Sequence, residues 1–225
     1  MKIEAVTVSI GYANFLHQVL PNKKKVDRWV VITHESDIET RWLCRQHKIE
    51  CVLSKRIYED APFAKGRAVN EGLDILDRDG WILHVDSDAL LPDDFRTVVE
   101  RDVNNTNYLY YTKRYSRDGI DVDQQRFDTF GPTPLDEIPE EYKQMNAAAG
   151  LETIVPETYV HKPYGFFQLW HSSQRKDYSQ ISTNADIDDV YTSYSFYPRW
   201  HLLPLRITDI NPHASNWDGP TRKSQ

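Results

Sequence analysis

Two aspartates one residue apart, Asp86 and Asp88, stand at the end of an apolar run in the segment GWILHVDSDALLPDDF. Hard divalent cations such as Mg²⁺ and Mn²⁺ prefer oxygen ligands, and they often use one or two carboxylates together with substrate phosphates. A simple turn is the alternative, because Asp and Ser side chains hydrogen-bond the local backbone. The residue types at this point are therefore consistent with a metal site or with a turn.

The apolar run before the two aspartates predicts a strand that is buried on both faces. Trp81, Ile82, Leu83 and Val85 fill almost every position of the run rather than alternate positions. Over the first hundred residues, β-rich apolar runs alternate with helical patterns, which favours a mostly parallel sheet with helices on its faces. Ligands of such sheets bind beyond the carboxyl ends of the strands, where the aspartates are expected to lie.

The helical pattern in SDIETRWLCRQHK carries its own start signal. Ser36 or Asp37 can cap this helix, and Ile38, Trp42 and Leu43 are expected on its inner face. Further along, NYLYYTKRY, YGFFQLW and RWHLLPLRI predict strands. Between the first two of these strands, residues 116–163 show little sustained period and predict a long loop. A loop of this length is typical of a lid or a binding loop, with an ordinary surface insertion as the alternative.

Composition restricts the class of protein. The 225 residues fit a single domain, and 27 Lys and Arg against 34 Asp and Glu give a net charge of −7, which provides no global basic field for nucleic acid. The N-terminus lacks the apolar core of a signal peptide, and no window approaches the length that spans a bilayer. Cys44 and Cys51 fit neither a disulfide framework nor a zinc pattern. We therefore expect a soluble, cytoplasmic protein.

Several common site motifs are missing from the sequence. It contains neither G-x-G-x-x-G after the first strand nor G-x-x-x-x-G-K-[ST], so the usual backbone cradles for phosphate are not available. It also lacks G-x-S-x-G and H-E-x-x-H, which disfavours an α/β-hydrolase and a zincin. If the protein binds phosphates, it must hold them by another device.

The ordered blocks TVSIGYANFL, FAKGRAVNEGL, GWILHVDSDALLP, GFFQLW, DIDDVYTSYSF and NPHASNWDG resemble a GT-A glycosyltransferase, close to the family 2-like members. The resemblance implies an α/β fold with a mixed, mostly parallel sheet flanked by helices. It also implies a nucleotide-sugar donor whose diphosphate is held by Mn²⁺ or Mg²⁺. The single domain, 1–225, would then comprise a nucleotide-sugar-binding half at 1–100, an insertion or acceptor lid at 116–163, and an acceptor and catalytic half at 164–225.

The resemblance assigns metal ligands. Asp88 would bind the cation, Asp86 would contact the ribose or a metal-bound water, and His213 would complete the metal site from the C-terminal segment. A histidine that binds no metal is the alternative for His213, because a single His is weak evidence.

The resemblance also assigns the donor pocket. The backbone of Ile10, Gly11 and Tyr12 would embrace the base, and Glu35 or Asp37 would contact it. The THESD segment departs from the family's D-x-S-x-D form, so a uracil nucleotide is only the default expectation for the base.

Two cations near the start of a predicted helix, Lys65 and Arg67, would face the donor diphosphate or the neighbouring sugar. A solvated helix end is the alternative. Aromatic residues could also form a platform for a sugar or base, although core packing explains such residues more often. The aromatic residues considered for this platform are Phe166, Phe167, Trp170 and Trp217.

The segment ADIDDVY resembles the E-D motif that supplies the catalytic base in inverting members of the family. A carboxylate suits this task because it can accept the proton of an acceptor hydroxyl. Asp189 is the first choice, and Asp188 stands at the glutamate position of the motif. Helix capping by Asp186 or Asp188 is the alternative role.

Three classes of function follow. The first is a metal-dependent glycosyltransferase that moves a sugar, by default from a UDP donor, to an acceptor hydroxyl. The acceptor can be a glycan, a small molecule, a protein or a hydroxylated base in DNA. The second is a nucleotidyltransferase on a related sheet, which would need a glycine-rich loop that SIGYANF does not provide. The third is an inactive carbohydrate-binding GT-A scaffold.

Overall fold

The computed structural model describes most of the chain outside the long insertion and the C-terminus. The described residues are 1–59, 61, 63–122, 165–174, 177–180, 188–189, 192–193, 195–196 and 199–211. The predictions for His213, for Trp217 and for the insertion beyond residue 122 fall outside these ranges.

Eight strands form one sheet in the order β3-β2-β1-β4-β7-β6-β8-β5. The first four strands in this order are parallel to one another, β7 is antiparallel to β4 and β6, β8 is parallel to β6, and β5 is antiparallel to β8. The predicted mixed, mostly parallel sheet is therefore confirmed. The strands are β1 Ile3–Val8, β2 Arg28–Thr33, β3 Glu50–Leu53, β4 Trp81–Val85, β5 Ala89–Leu90, β6 Leu109–Tyr115, β7 Phe167–His171 and β8 Trp200–Asp209.

Four α-helices and two 3₁₀-helices have assigned bounds in the described ranges. They are α1 Ala13–Gln18, α2 Ile38–Gln46, α3 Lys65–Leu73 and α4 Phe95–Asp102, with the 3₁₀-helices at Leu20–Lys24 and Ser172–Gln174. None of the helices in the described part of the chain has the length and apolar composition that crossing a membrane requires.

The start of α2 was predicted correctly, but part of its inner face was not. Asp37 is the N-cap, and its Oδ1 accepts a hydrogen bond from the Thr40 amide at 3.0 Å. Leu43 is buried as predicted, whereas Ile38 and Trp42 are 71% and 58% exposed. Residues two positions apart differ by about 200° around a helix. Because Thr40 faces the core, Ile38 and Trp42 must point away from it.

The core lies on both faces of the sheet. Every residue of β1 and of β4 is buried, as the apolar run of β4 predicts. Side chains of successive β1 residues, such as Ala5 and Val6, enter separate hydrophobic clusters on opposite faces. The described aromatic residues of the predicted platform also belong to these clusters, so core packing is their role. These residues are Phe166, Phe167 and Trp170.

Candidate active site

The site lies where the strand order of the sheet reverses direction. The chain adds β2 and β3 on one side of β1, and then crosses to β4 on the other side. The crevice outside the carboxyl ends of two such strands is the usual ligand site of an open α/β sheet. Asp86 follows β4 directly, and its amide donates to the Phe166 carbonyl at 3.1 Å. The predicted position of Asp86 at a strand end is therefore confirmed.

A buried ammonium joins two segments of the chain in this crevice. Lys65, the first residue of α3, donates from Nζ to Asp86 Oδ1 at 2.9 Å and to Asp189 Oδ2 at 2.8 Å. Burial disfavours the ammonium, but the charges of Asp189 and Asp86 outweigh this effect and raise the pKa of Lys65. Lys65 is thus a fixed positive charge between two carboxylates.

Two further buried side chains extend this network. The Tyr178 hydroxyl donates to Asp189 Oδ1 at 2.5 Å, and its oxygen lies 3.3 Å from Nδ1 of His84. Burial and the Lys65 charge lower the pKa of His84 to about 3, so the imidazole is neutral. Because the single Tyr178 proton is given to Asp189, the contact with His84 is a hydrogen bond only if Nδ1 carries the imidazole proton.

Neither His84 nor Tyr178 was predicted as a site residue. A signal for His84 was present: it is a polar residue in an apolar strand, two positions before Asp86 and thus on the same face of β4. No comparable local signal marks Tyr178.

Asp188 caps the start of α3. Its Oδ2 accepts a hydrogen bond from the Gly66 amide at 2.7 Å, in the first turn of α3. Gly66 is required here, because an added Cβ would lie 1.6 Å from the Ser179 carbonyl oxygen. An added Cβ at Gly165 would likewise lie 1.8 Å from Cγ of Asp189. The absence of a Cβ at Gly66 and Gly165 therefore leaves the space that the Asp188 and Asp189 side chains need.

A second group of carboxylates lies on the other side of Asp86. The Asp88 carbonyl accepts from the Ile210 amide at 2.8 Å, which places Asp88 beside Asp209 at the end of β8. Burial and the charges of Asp86 and Asp209 raise the pKa of Asp88 to about 7. Arg114 Nη1 lies 3.7 Å from Asp209 Oδ2 and offsets part of this negative charge.

These carboxylates offer the oxygen ligands that a hard divalent cation prefers. Their oxygen atoms do not all lie within 4.8 Å of one another, a distance that among the described residues is met only by Glu4, Asp77 and Asp79. Asp86 and Asp88 were predicted as ligands. Asp209 was missed, because a single aspartate at the end of a strand has no distinctive pattern.

The predicted base-side residues lie in the loop after β1, at 10–12, and in the loop after β2, at Glu35 and Asp37. Gly11, at φ +65°, donates from its amide to Asp37 Oδ2 at 2.8 Å. Asp37 thus ties the loop after β1 to the start of α2. Tyr12 is buried and packs against Phe15, Ile10 is half-buried, and Glu35 is exposed.

The structure separates the two predicted cations of α3. Unlike Lys65, Arg67 pairs with Glu59 in the preceding loop: its Nη1 donates to the Glu59 carbonyl at 2.9 Å and lies 2.9 Å from Glu59 Oε2. Arg67 therefore joins α3 to the preceding loop, whereas the charge of Lys65 lies beside Asp86 and Asp189.

Comparison with known proteins gives a fold and no family. No protein-family model matches the sequence, and no curated protein matches it. Glucosyl-3-phosphoglycerate synthase from Mycobacterium tuberculosis, in complex with Mn²⁺, UDP and glucosyl-3-phosphoglycerate, matches 92% of this chain and 70% of that chain, with a TM-score of 0.57 and 13% identity. A second structure of the same enzyme gives a TM-score of 0.56 over the same shares, at 12% identity.

Mannosyl-3-phosphoglycerate synthase from Rubrobacter xylanophilus matches 59% of this chain, with a TM-score of 0.41 and 18% identity. The match covers 48% of that enzyme, so this chain spans about half of its length. The matches to the glucosyl enzyme establish the fold class. The chain has the α/β GT-A fold of nucleotide-sugar glycosyltransferases, as the sequence resemblance predicted.

Proposed function

We propose that the protein is a metal-dependent glycosyltransferase that moves a sugar from a nucleotide-diphosphate donor to an acceptor hydroxyl. The observation that carries this proposal is the pairing of Lys65 with Asp86 at the strand reversal, next to the carboxylates of Asp88 and Asp209. A fixed ammonium with oxygen ligands in the same region can receive a diphosphate together with a divalent cation. The Mn²⁺ and UDP in the glucosyl enzyme support a UDP-sugar as the first donor to test.

Asp86 and Asp88 are the residues proposed to hold Mn²⁺ or Mg²⁺, with His213 as a third ligand from the resemblance. When bound, the cation would neutralise the diphosphate and so help it to leave. This chain's own residues bind and orient the donor. Asp86 is suited to this role because 31% of its side chain stays exposed while its Oδ1 is fixed by Lys65.

Lys65 is proposed to contact the donor diphosphate. An ammonium has three protons, and two of them are donated to Asp86 and Asp189, so one proton is left for a phosphate oxygen. The Gly66 amide, a usual partner for phosphate at a helix start, already donates to Asp188. We therefore propose that the Lys65 side chain, rather than a free backbone amide, binds the phosphate at the start of α3.

Asp189 is the first candidate for the general base, with Asp188 as the second. Burial raises the pKa of Asp189 to about 7, although the Lys65 charge opposes this effect. A base with a pKa near the working pH is effective in proton transfer. Both carboxylate oxygens of Asp189 accept hydrogen bonds, from Tyr178 and Lys65, so Asp189 can take the acceptor proton only when one of these bonds opens. The Oδ2 atom of Asp188 caps α3. Phosphoglycerate, glycans and other hydroxyl compounds are the acceptors to test.

Donor hydrolysis is the direct test. The full chain would be incubated with Mn²⁺ and a panel of UDP-, GDP- and ADP-sugars in the absence of acceptor, and release of the nucleoside diphosphate would be measured. We expect release from one donor class, its loss in Asp88→Asn, and little change in the matched variant Asp93→Asn, which lies on the exposed turn before α4.

Other outcomes of this test would favour the other classes of function. Release of pyrophosphate from a nucleoside triphosphate and a sugar phosphate would favour a nucleotidyltransferase. Nucleotide binding without turnover, with every donor and acceptor tested, would favour an inactive scaffold.

A further inference from the structure

We propose that Tyr178 is a positioning residue for Lys65, and that its hydroxyl acts through Asp189 to hold the ammonium at the donor diphosphate. The inference rests on the proposed function, because it gives the buried network a task in donor binding. Tyr178 itself is not expected to touch the donor.

Tyr178 is attached to α3 at two separate points. The Asn70 side chain in α3 accepts from the Tyr178 amide at 2.7 Å and donates to its carbonyl at 2.9 Å. The Tyr178 hydroxyl reaches the start of the same helix through Asp189 and Lys65. The backbone of Tyr178 is thus fixed to the middle of α3 while its hydroxyl acts at the first residue of that helix.

The hydroxyl fixes the rotation of the Asp189 carboxylate, so that one of its two equivalent oxygens points at Lys65. The terminal torsion of an aspartate has no sharp preference, so an unrestrained carboxylate can rotate. With Oδ1 bound to Tyr178 at 2.5 Å, Oδ2 is directed to Lys65 at 2.8 Å. The His84 ring, whose centroid lies 4.9 Å from that of Tyr178, supports the tyrosine from the β4 side.

The neighbouring residue reinforces this arrangement. The Ser179 amide donates to Thr192 Oγ1 at 2.9 Å, and Thr192 Oγ1 donates to the Asp188 carbonyl at 2.8 Å. Tyr178 and Ser179 therefore connect α3 to the segment that carries both catalytic candidates, Asp188 and Asp189. A residue that only filled the core would not need its hydroxyl for this connection.

Tyr178→Phe removes the hydroxyl and leaves the ring. A matched control is Tyr110→Phe. Tyr110 lies on β6 and is equally buried, and its hydroxyl accepts a hydrogen bond from the Asn105 amide at 2.9 Å. We expect Tyr178→Phe to weaken binding of UDP with Mn²⁺ by roughly tenfold, the usual effect of losing one hydrogen bond to a charged group. Tyr110→Phe should lower the melting temperature and leave that affinity unchanged.

A double-mutant cycle tests the route through Lys65. In a Lys65→Gln background, Tyr178→Phe should cause no further loss of affinity for UDP with Mn²⁺, because the group that it positions is already gone. A full additional tenfold loss in that background would overturn the proposal. So would a wild-type affinity in Tyr178→Phe alone.

A second measurement separates this inference from the proposed function. If the wild-type protein does not bind UDP with Mn²⁺, the proposed donor site fails, but the position of Lys65 can still be followed. The ¹⁵N NMR signal of its ammonium, assigned by its loss in Lys65→Gln, should shift and exchange faster with water in Tyr178→Phe and stay constant in Tyr110→Phe. An unchanged signal in Tyr178→Phe would overturn the inference.

Discussion

The two sides of Asp86 differ in how closely a positive side chain is held. On one side, Asp86 and Asp189 share the buried ammonium of Lys65, so two negative charges enclose a positive one. On the other side, Asp88 lies near the like charges of Asp86 and Asp209, which raise its pKa to about 7 against the opposing effect of Arg114. Each side carries one carboxylate more than its cations, but Lys65 lies 2.9 and 2.8 Å from its two partners whereas Arg114 lies 3.7 Å from Asp209, so the Asp88 side is the more favourable place for a divalent cation.

Removal of the metal should have the largest effect. We expect chelation by EDTA to reduce donor hydrolysis to the background rate, because the carboxylates on the Asp88 side would repel a diphosphate without a cation. Restoring Mn²⁺ should restore the rate, and Asp88→Ala should behave like the chelated protein even with Mn²⁺ present. Full activity in EDTA would remove the metal from the mechanism.

Asp189→Asn should have the next largest effect. Loss of a general base lowers transfer by roughly two to four orders of magnitude. Since Asp189 also anchors Lys65, we expect this variant to weaken donor binding as well, which titration with UDP and Mn²⁺ would measure.

Asp188→Asn is the control for Asp189→Asn. Because Asp188 caps α3, this variant should lower the melting temperature more than it lowers the turnover rate. If turnover collapses in Asp188→Asn and stays normal in Asp189→Asn, the base is Asp188. Normal turnover in both would indicate a retaining mechanism or another base.

Lys65→Gln should reduce donor affinity by about 10- to 100-fold, since a hydrogen bond between charged groups is lost. The variant also leaves Asp86 and Asp189 without their shared cation, so its melting temperature should fall. Isothermal titration with UDP and Mn²⁺ would measure the affinity. An unchanged affinity would place the diphosphate away from Lys65.

Arg67→Gln should have the smallest effect. Arg67 is two residues from Lys65 but pairs with Glu59, whose side chain is 47% exposed, and such exposed pairs contribute about 1 kcal/mol or less. We expect donor affinity to change by less than about twofold. A loss as large as that in Lys65→Gln would show that both cations serve the donor.

The sequence predicted the features that local patterns encode. The apolar run of β4 predicted a strand buried on both faces and Asp86 at its end, and the alternation of strands and helices predicted a mostly parallel sheet. Asp37 was correctly predicted as a possible cap of α2. Each of these features depends on residues close together in the chain, where period and capping chemistry act.

The features that the sequence did not reveal depend on long separations. Tyr178 meets Asn70 across 108 positions, and no local period links the two residues. The exposed side of α2 was mispredicted for a related reason: Ile38 and Trp42 have apolar side chains, but the neighbouring elements decide which side of the helix is covered. Asp209 gains its importance only when β8 brings it beside Asp88.

The pairing of Lys65 with Asp189 has a consequence for how the protein is made. The two residues are 124 positions apart, and at the usual pace of translation this distance corresponds to roughly 6 to 25 s of synthesis. Throughout that interval Lys65 lacks one of its two carboxylate partners, and Gly66 lacks the Asp188 cap. The first hundred residues therefore cannot complete their own charged centre while the chain is still being synthesised, and the crevice is finished only after the late segment has left the ribosome.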